Sequence, residues 1–588
     1  MTFSKLVMKF IKLLTALIYF VSIGQVYAAD VEISGNQATR EDLQDSSTLT
    51  ISGTLDGDLN NIVRGYTAPG GDGNEIDNAT VVVESGGSVQ GLSNAIMGRE
   101  TDSLTVTNSG TIEATSSKAI QLMDAQNATI TNKSGGTIFA DTNAIVQQSA
   151  GTEDAENTTI TNAGTIYSVN DRAIYFYDGA TSATITNQKG GIIYNTASDA
   201  TVQIDTSSTL SNSGTIDNRD GPSNIGIAVV GNNNTITLKD GGILIGTIDA
   251  GSTTGNTLKF QHGVGQGYYY ETAGSFTLQD LDGNQVVKGS AGSVGQGGSE
   301  TLDETLSYKS LNIRQFLNRY KVSKNRIANE AWGETYTSLS NRNGNASNLA
   351  LGYNITNFGV NFVSPMKNSD LILAFETGFQ NFDKDHKIYF QNISSGLYYP
   401  QNKRLYNLDT FIIGGVTLKH GQRTILTNTT SSGKLDIDSY YQTFELHSGF
   451  IKSNKLVPDF GLAGSFSFTP TYDESKYYSW RSKKVGNVSI FVSDKYESIN
   501  YKTKKFNLGW TLDFRGLVGN KSQHYSINGT SAKYKQSSSL TREISLIANL
   551  GFEKKFKNNG IFTIGVDAKN TTQGTKSISG NLEYKIEF

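Results

Sequence analysis

The chain has no cysteine in 588 residues, which excludes disulfides, thiolate metal sites and cysteine nucleophiles. Proline is scarce, at six, and charged residues make up only 18%. Between residues 29 and 300 the only histidine is His262, in the Gly-rich stretch "QHGVGQG", and no strained Gly-x-Ser-x-Gly elbow accompanies it. A Ser-His-Asp hydrolase in that half would depend on this one ring, and a solvated loop histidine is the expectation. Beyond residue 23 no apolar run reaches the roughly 20 residues of a spanning helix, so any membrane segment of the mature chain must be made of strands.

What is abundant is glycine (62), tyrosine (28) and phenylalanine (27), a mixture suited to strands joined by polar turns. Net charge is −4, but it is unevenly placed. Residues 29–300 hold 11 Lys+Arg against 31 Asp+Glu (−20), residues 301–588 hold 36 against 23 (+13), and the first 28 residues add three lysines. An acidic half of this size repels phosphate backbones, which argues against nucleic acid as a partner. Lys5, Lys9 and Lys12 precede the apolar run 13–23, and "VYAAD" places Val26 and Ala28 as a small-residue cleavage site. Residues 1–28 therefore read as a secretory signal peptide, cut after Ala28 in preference to Ala29.

The acidic half repeats. "TVTNSGTI" from Thr105 returns as "TITNKSGGTI" (129), "TITNAGTI" (159), "TITNQKGGII" (184) and "TLSNSGTI" (209), with Asn108, Asn132, Asn162, Asn187 and Asn212 at spacings of 24, 30, 25 and 25. "TVVVESGGSV" and "TITLKDGGIL" extend the series, with Glu84 and Leu238 standing where the asparagine would be. Each unit also carries a later apolar piece such as "NAIV" or "RAIYF", giving about three short strands per coil. Such a coil cannot bury its own inward face; stacked coils can, as a right-handed parallel β-helix with insertions confined to one loop. Ile130, Ile138 and Ile145, then Ile160, Ile166 and Ile174, are the expected inward set, and the asparagines form a structural ladder. "DLDGN" at 280–284 lacks the later glycine and terminal glutamate of a calcium loop and reads as a hairpin turn at Asp282 and Gly283. No cofactor or metal is expected.

"KGSAGSVGQGGSE" (288–300) reads as a Gly/Ser-rich linker, and 301–330 as a helix carrying Leu302, Leu306, Leu311, Ile313 and Leu317. From 331 on, segments of ten or more residues alternate in polarity, among them "DLILAFETGFQNF", "NLDTFIIGGVTLK" and "REISLIANLGFEKK". "PMKNSD", "KHGQ", "KSNK" and "KNNG" read as short turns and 383–404, 471–486 and 517–540 as long loops, with Tyr398, Tyr399, Tyr477, Tyr478 and Trp480 at the rims. The final residues set Leu582, Tyr584, Ile586 and Phe588 on one side and Glu583, Lys585 and Glu587 on the other, a strand whose free edge barrel closure would remove.

A signal peptide, β-helical repeats, a linker helix and a C-terminal barrel ending in "YKIEF" together resemble the classical monomeric autotransporters, type V secretion proteins of Gram-negative bacteria. The resemblance covers essentially the whole chain. It implies a 12-stranded transmembrane barrel (331–588) in the outer membrane with the helix inside it. A β-helix passenger (29–260), followed by its C-terminal end and linker (261–300), is then exposed at the cell surface after Sec export through the periplasm. It also implies outer-membrane lipid and lipopolysaccharide, the barrel assembly machinery and periplasmic chaperones as partners. The terminal residues Leu582, Tyr584, Ile586 and Phe588 are the assembly signal, and the chain is a monomer. Self-cleaving members cut at an Asn-Asn pair; here only the separated Asn325 and Asn329 are offered, so the passenger is expected to stay attached. The expected role is non-enzymatic adhesion or surface interaction with an unidentified ligand or receptor; the alternative is a passenger acting on polysaccharides.

Overall fold

A computed structural model describes residues 30–57, 62–65, 76–149, 155–177, 179–284, 286–287, 290–291, 293–322, 330–344, 352–384, 386–402, 408–452, 458–501, 504–519, 522–527, 534–537, 542–556 and 560–587. These form two units. The first comprises the described residues up to Gln261 with Tyr270–Gln279 and Asn428–Gly433; the second comprises His262–Tyr269, Asp280–Thr427 and Lys434–Phe588.

The first unit is a parallel β-solenoid whose three ladders hold 11, 9 and 10 strands. In one coil these are Thr159–Asn162, Thr165–Ser168 and Ile174–Tyr177. Residues of equal rank stack in register from coil to coil: Val106, Ile130, Ile160, Ile185 and Leu210 on the first ladder, and Ile112, Ile138, Ile166, Ile193 and Ile216 on the second. Ile120, Ile145, Ile174 and Val202 continue this on the third. All these side chains are at most 1% exposed, so each coil buries its apolar face only because its neighbours do. Two details depart from the sequence reading. Val83, not Glu84, lies opposite Asn108, because the register is set by Thr80 pairing with Thr105. Coil length also varies at two corners instead of one: the turn after the asparagine alternates between two residues (109–110, 163–164) and four (133–136, 188–191). The four-residue form places Gly135 and Gly190 at φ near +88°, a region open to glycine at no steric cost.

The second unit holds helix α1 (Ser293–Val322) and a closed antiparallel barrel. Its strands are β1 (Glu330–Arg342), β2 (Tyr353–Pro365), β3 (Asp370–Phe382), β4 (His386–Asn402), β5 (Leu408–Thr427) and β6 (Lys434–Lys452). They continue with β7 (Asp459–Thr469), β8 (Lys483–Tyr501), β9 (Lys504–Gly519), β10 (Arg542–Lys555), β11 (Ile561–Thr571) and β12 (Thr575–Glu587). β12 pairs with β1 from Glu587 opposite Glu330 to Thr575 opposite Arg342, so the terminal strand has no open edge. Short strands, 472–474 with 478–480 and 522–527 with 534–537, form hairpins between β7 and β8 and between β9 and β10.

Local texture misleads in four places. "KHGQ" (419–422) lies inside β5, where Gly421 continues the strand opposite Ser439. The stretch 383–404 is mostly β4, its polar alternation belonging to a wall with one wet face. Tyr398, Tyr478 and Trp480 are at most 1% exposed and pack inward instead of lining a rim. Helix α1 begins at Ser293, within the expected linker.

Candidate functional site

Helix α1 lies against the inner faces of the barrel strands. Lys309, Arg314 and Arg319 are five residues apart, which at 3.6 residues per turn turns each about 140° from the last, so they leave the helix in three directions. Each meets carboxylates on a different part of the wall. Lys309 Nζ lies 3.1 Å from Glu445 on β6 and also donates to Thr417 on β5. Arg314 makes two parallel 2.8 Å hydrogen bonds to Asp513 on β9. Arg319 reaches Glu334 on β1, Asp567 on β11 at 2.9 Å and Glu583 on β12. Neutral donors add to these: Tyr320 Oη donates to Asp370 at 2.9 Å, Gln380 donates to Thr305 at 2.9 Å, and Tyr308 joins Ser338 and Asn357.

The lumen is not wholly polar. Phe316, Leu317 and Tyr320 of α1 pack in one apolar cluster with wall residues from β1 to β8, among them Trp332, Ile372, Phe411, Ile451, Ala463 and Phe491. Polar and apolar sides of α1 thus both meet wall residues, which explains why its apolar residues follow no clean helical period. At the end of the lumen reached by the start of β6, Ile425, Ile437, Tyr478, Trp480, Tyr525 and Ile527 cluster, with Tyr269 packed against them. The Tyr478 hydroxyl donates to the Tyr268 carbonyl at 2.9 Å, and Arg423 pairs bidentately with Glu474. The two 2.7–2.8 Å bonds of that pair fix the 472–480 hairpin. His262 is 1% exposed with its ring edge-on to Tyr268 at 5.2 Å, so it is a packed residue and not the expected solvated one. Asp280 caps its own turn, Oδ1 accepting from the Asp282 and Asn284 amides, while Tyr268 donates to Oδ2. Burial pushes the Asp280 carboxyl above its ordinary value, and Gly283 takes φ +82°.

The outer face of the barrel has the opposite character. Phe375, Ile393, Val416 and Phe444 stand in cross-strand register on β3 to β6, 36–68% exposed. Leu508, Leu550, Ile564 and Leu582 carry the apolar surface around to β12, while their neighbours Asn507, Asn581 and Glu583 turn inward. Strands of 11 to 20 residues are long enough to cross a bilayer at a tilt. The wall is that of a transmembrane barrel. Ile393→Arg is expected to destabilise it by about 2–4 kcal/mol, the range for a cation at bilayer mid-depth. Chemical unfolding of the protein in phospholipid vesicles measures this; an unchanged midpoint contradicts it.

In the solenoid, Asn108, Asn132, Asn162, Asn187 and Asn212 are 0–1% exposed and linked in series, each Nδ2 donating to the Oδ1 of the next at 2.9 Å. The same Nδ2 groups also donate to the carbonyls of Thr137, Thr165, Ile192, Thr215 and Ile243. Asn162→Ala strands one donor of Asn132 and one acceptor of Asn187. It should lower solenoid stability by about 1–3 kcal/mol, read as a lower denaturant midpoint. On the outside, Phe139, Tyr167 and Tyr194 stack at centroid distances of 4.5 and 4.8 Å, and Arg219 covers Tyr194 at 3.4 Å. Their faces are turned to one another, and all three side chains are partly exposed.

Asn325, Asn329, Ala28, Ala29 and Phe588 lie outside the described residues. Of the terminal pattern, Leu582 and Tyr584 face outward at 47% and 44% exposure. In the sequence, only a constant spacing of five marks Lys309, Arg314 and Arg319, a signal too slight to single them out. The aromatic column is also present in the repeats, as "TIFA", "TIYS" and "IIYN".

No protein-family model and no curated protein matches the chain. Among solved structures it is similar to the translocator domain of autotransporter NalP from Neisseria meningitidis, at 11% identity over 49% of this chain and 98% of that one, with a TM-score of 0.36. It is also similar to the transport unit of autotransporter AIDA-I from Escherichia coli (13%, 45% and 92%, TM-score 0.29). A third is the toluene transporter TbuX from Ralstonia pickettii (8%, 45% and 90%, TM-score 0.28). At these scores the likeness assigns neither family nor activity.

Proposed function

We propose that the chain is a self-displaying outer-membrane protein of the autotransporter kind, in which the barrel anchors and exports its own β-solenoid. The observation that carries this reading is that the segment following the solenoid is a helix held inside a barrel closed by the same chain. A chain path of that kind is what remains when a polypeptide has been drawn through its own pore. The absence of cysteine supports the reading, since a disulfide would obstruct transit. Coil-by-coil folding of a solenoid, each repeat resting on the last, opposes back-sliding.

The partners called for are outer-membrane lipid and lipopolysaccharide around the belt, periplasmic chaperones, and a barrel assembly machinery that reads Leu582, Tyr584, Ile586 and Phe588. We further infer that the solenoid serves adhesion or surface interaction. Its acidic surface and outward column Phe139, Tyr167 and Tyr194 suit contact, and residues 29–261 contain no histidine. Deleting residues 80–250 while retaining the rest should abolish attachment of cells to surfaces or neighbours and leave the barrel in the membrane. Attachment unchanged by the deletion overturns the adhesive role, and turnover of glycan or peptide panels by residues 29–300 overturns the non-enzymatic one.

A further inference from the structure

The apolar cluster around Phe316, Leu317 and Tyr320 does not fill the lumen. Between the last turns of α1 and strands β7 to β12 lies an open-sided cavity of about 260 Å³. The glycines on the wall help to make it: a Cβ at Gly565 would overlap the Asn581 side-chain oxygen. Its lining is one-sided in chemistry. Asp459, Asp494, Glu553, Asp567 and Glu583 contribute five carboxylates, and Arg319 one guanidinium already engaged by Glu334, Asp567 and Glu583.

Two further lining groups point to a ligand. Asn507 and Asn581 are 9% and 5% exposed, and the Oδ1 atom of each is buried without a hydrogen-bond partner. Asn581 uses its Nδ2 on Glu334 and Glu583, so only its acceptor remains. Buried acceptors left unpaired are unfavourable, and a ligand that supplies donors removes that penalty. An anion is repelled by this lining. Among the described residues no three carboxylate or histidine groups are placed to hold a metal ion. An alkylammonium has three donors and no acceptor, and its methylene stem fills space that water would otherwise occupy.

We propose that this cavity binds a small linear organic cation of the diamine class. The volume is several times that of one water, enough for a four-carbon diamine with residual solvent. The site is distinct from the solenoid, so it stands or falls independently of surface display.

The test uses the full-length protein in detergent at low ionic strength, titrated calorimetrically with 1,4-diaminobutane. Saturable binding with a dissociation constant of about 1 mM or tighter is expected, and none for disodium succinate at matched ionic strength. Asp494→Asn and, separately, Asn507→Leu should each weaken binding about tenfold. Asp473→Asn, in the 472–480 hairpin, should leave it unchanged. Retention of the heat-dependent electrophoretic shift shows that each variant is folded; if one is not, Asp459→Asn replaces it. No saturable diamine binding, equal binding of succinate, or binding indifferent to both lining substitutions overturns the proposal.

Discussion

Replacing Asp513 with alanine is expected to loosen α1 within the barrel, destabilising the second unit by about 3–5 kcal/mol, the range for breaking a buried ion pair from one side. Arg314 and Asp513 are each 4% exposed at the side chain, and both hydrogen bonds between them are 2.8 Å long. Without the carboxylate, the guanidinium is left between the wall and Phe491, whose ring lies 5.0 Å from it. Two readouts separate the cause. The denaturant midpoint in detergent should fall, and conductance in planar bilayers should rise as the helix leaves the lumen part of the time. The double variant Arg314→Met with Asp513→Leu should recover most of the stability, since apolar replacement of a whole buried pair is often neutral or better. If Asp513→Ala leaves both the midpoint and conductance unchanged, α1 is not held by this pair.

The second large effect belongs to the solenoid. Gly164 sits in the two-residue turn after Asn162, where a Cβ would overlap the Gly136 carbonyl oxygen and stand 2.5 Å from that of Lys133. Both obstacles are backbone, so no rotamer change relieves them. Gly164→Ala must separate adjacent coils or break the Asn132 rung, whose Nδ2 lies 2.7 Å from the same point. The expected loss is about 3 kcal/mol, the upper end for overpacking. Thermal unfolding of the full-length protein should show an earlier solenoid transition with the barrel transition unmoved. The control is Lys133→Ala in the adjacent coil's turn: that side chain is exposed, and its loss should change little.

How much of this is legible in the sequence follows from how local each signal is. The Thr-Ile-Thr-Asn strands repeat with a fixed phase, and stacking converts phase directly into register, so Ile130, Ile160 and Ile185 can be assigned inward from the sequence. At the edge of the repeat the asparagine is gone and the reading slips by one residue, to Glu84, although the phase counted from Thr80 as from Thr105 places Val83 there. The barrel strands are visible by alternation, yet "KHGQ" looks like a turn because glycine and polar residues serve equally inside a wall with a wet face. The lumen is the least readable part. Pairs such as Arg314 with Asp513 join residues 199 apart, and a helix that meets wall residues on both its polar and apolar sides has no broad solvent face to give it a period. Nor does any spacing reveal that Asn507 and Asn581, far apart along the chain, border one cavity.

A chain whose helix lies in its own barrel should carry its solenoid outside the cell. Protease treatment of intact cells, followed by immunoblotting with antibodies against residues 105–218 and against the barrel, decides whether it does. The solenoid signal should be lost from intact cells while the barrel fragment persists. A solenoid protected in intact cells, and digested only after the outer membrane is permeabilised, contradicts surface display.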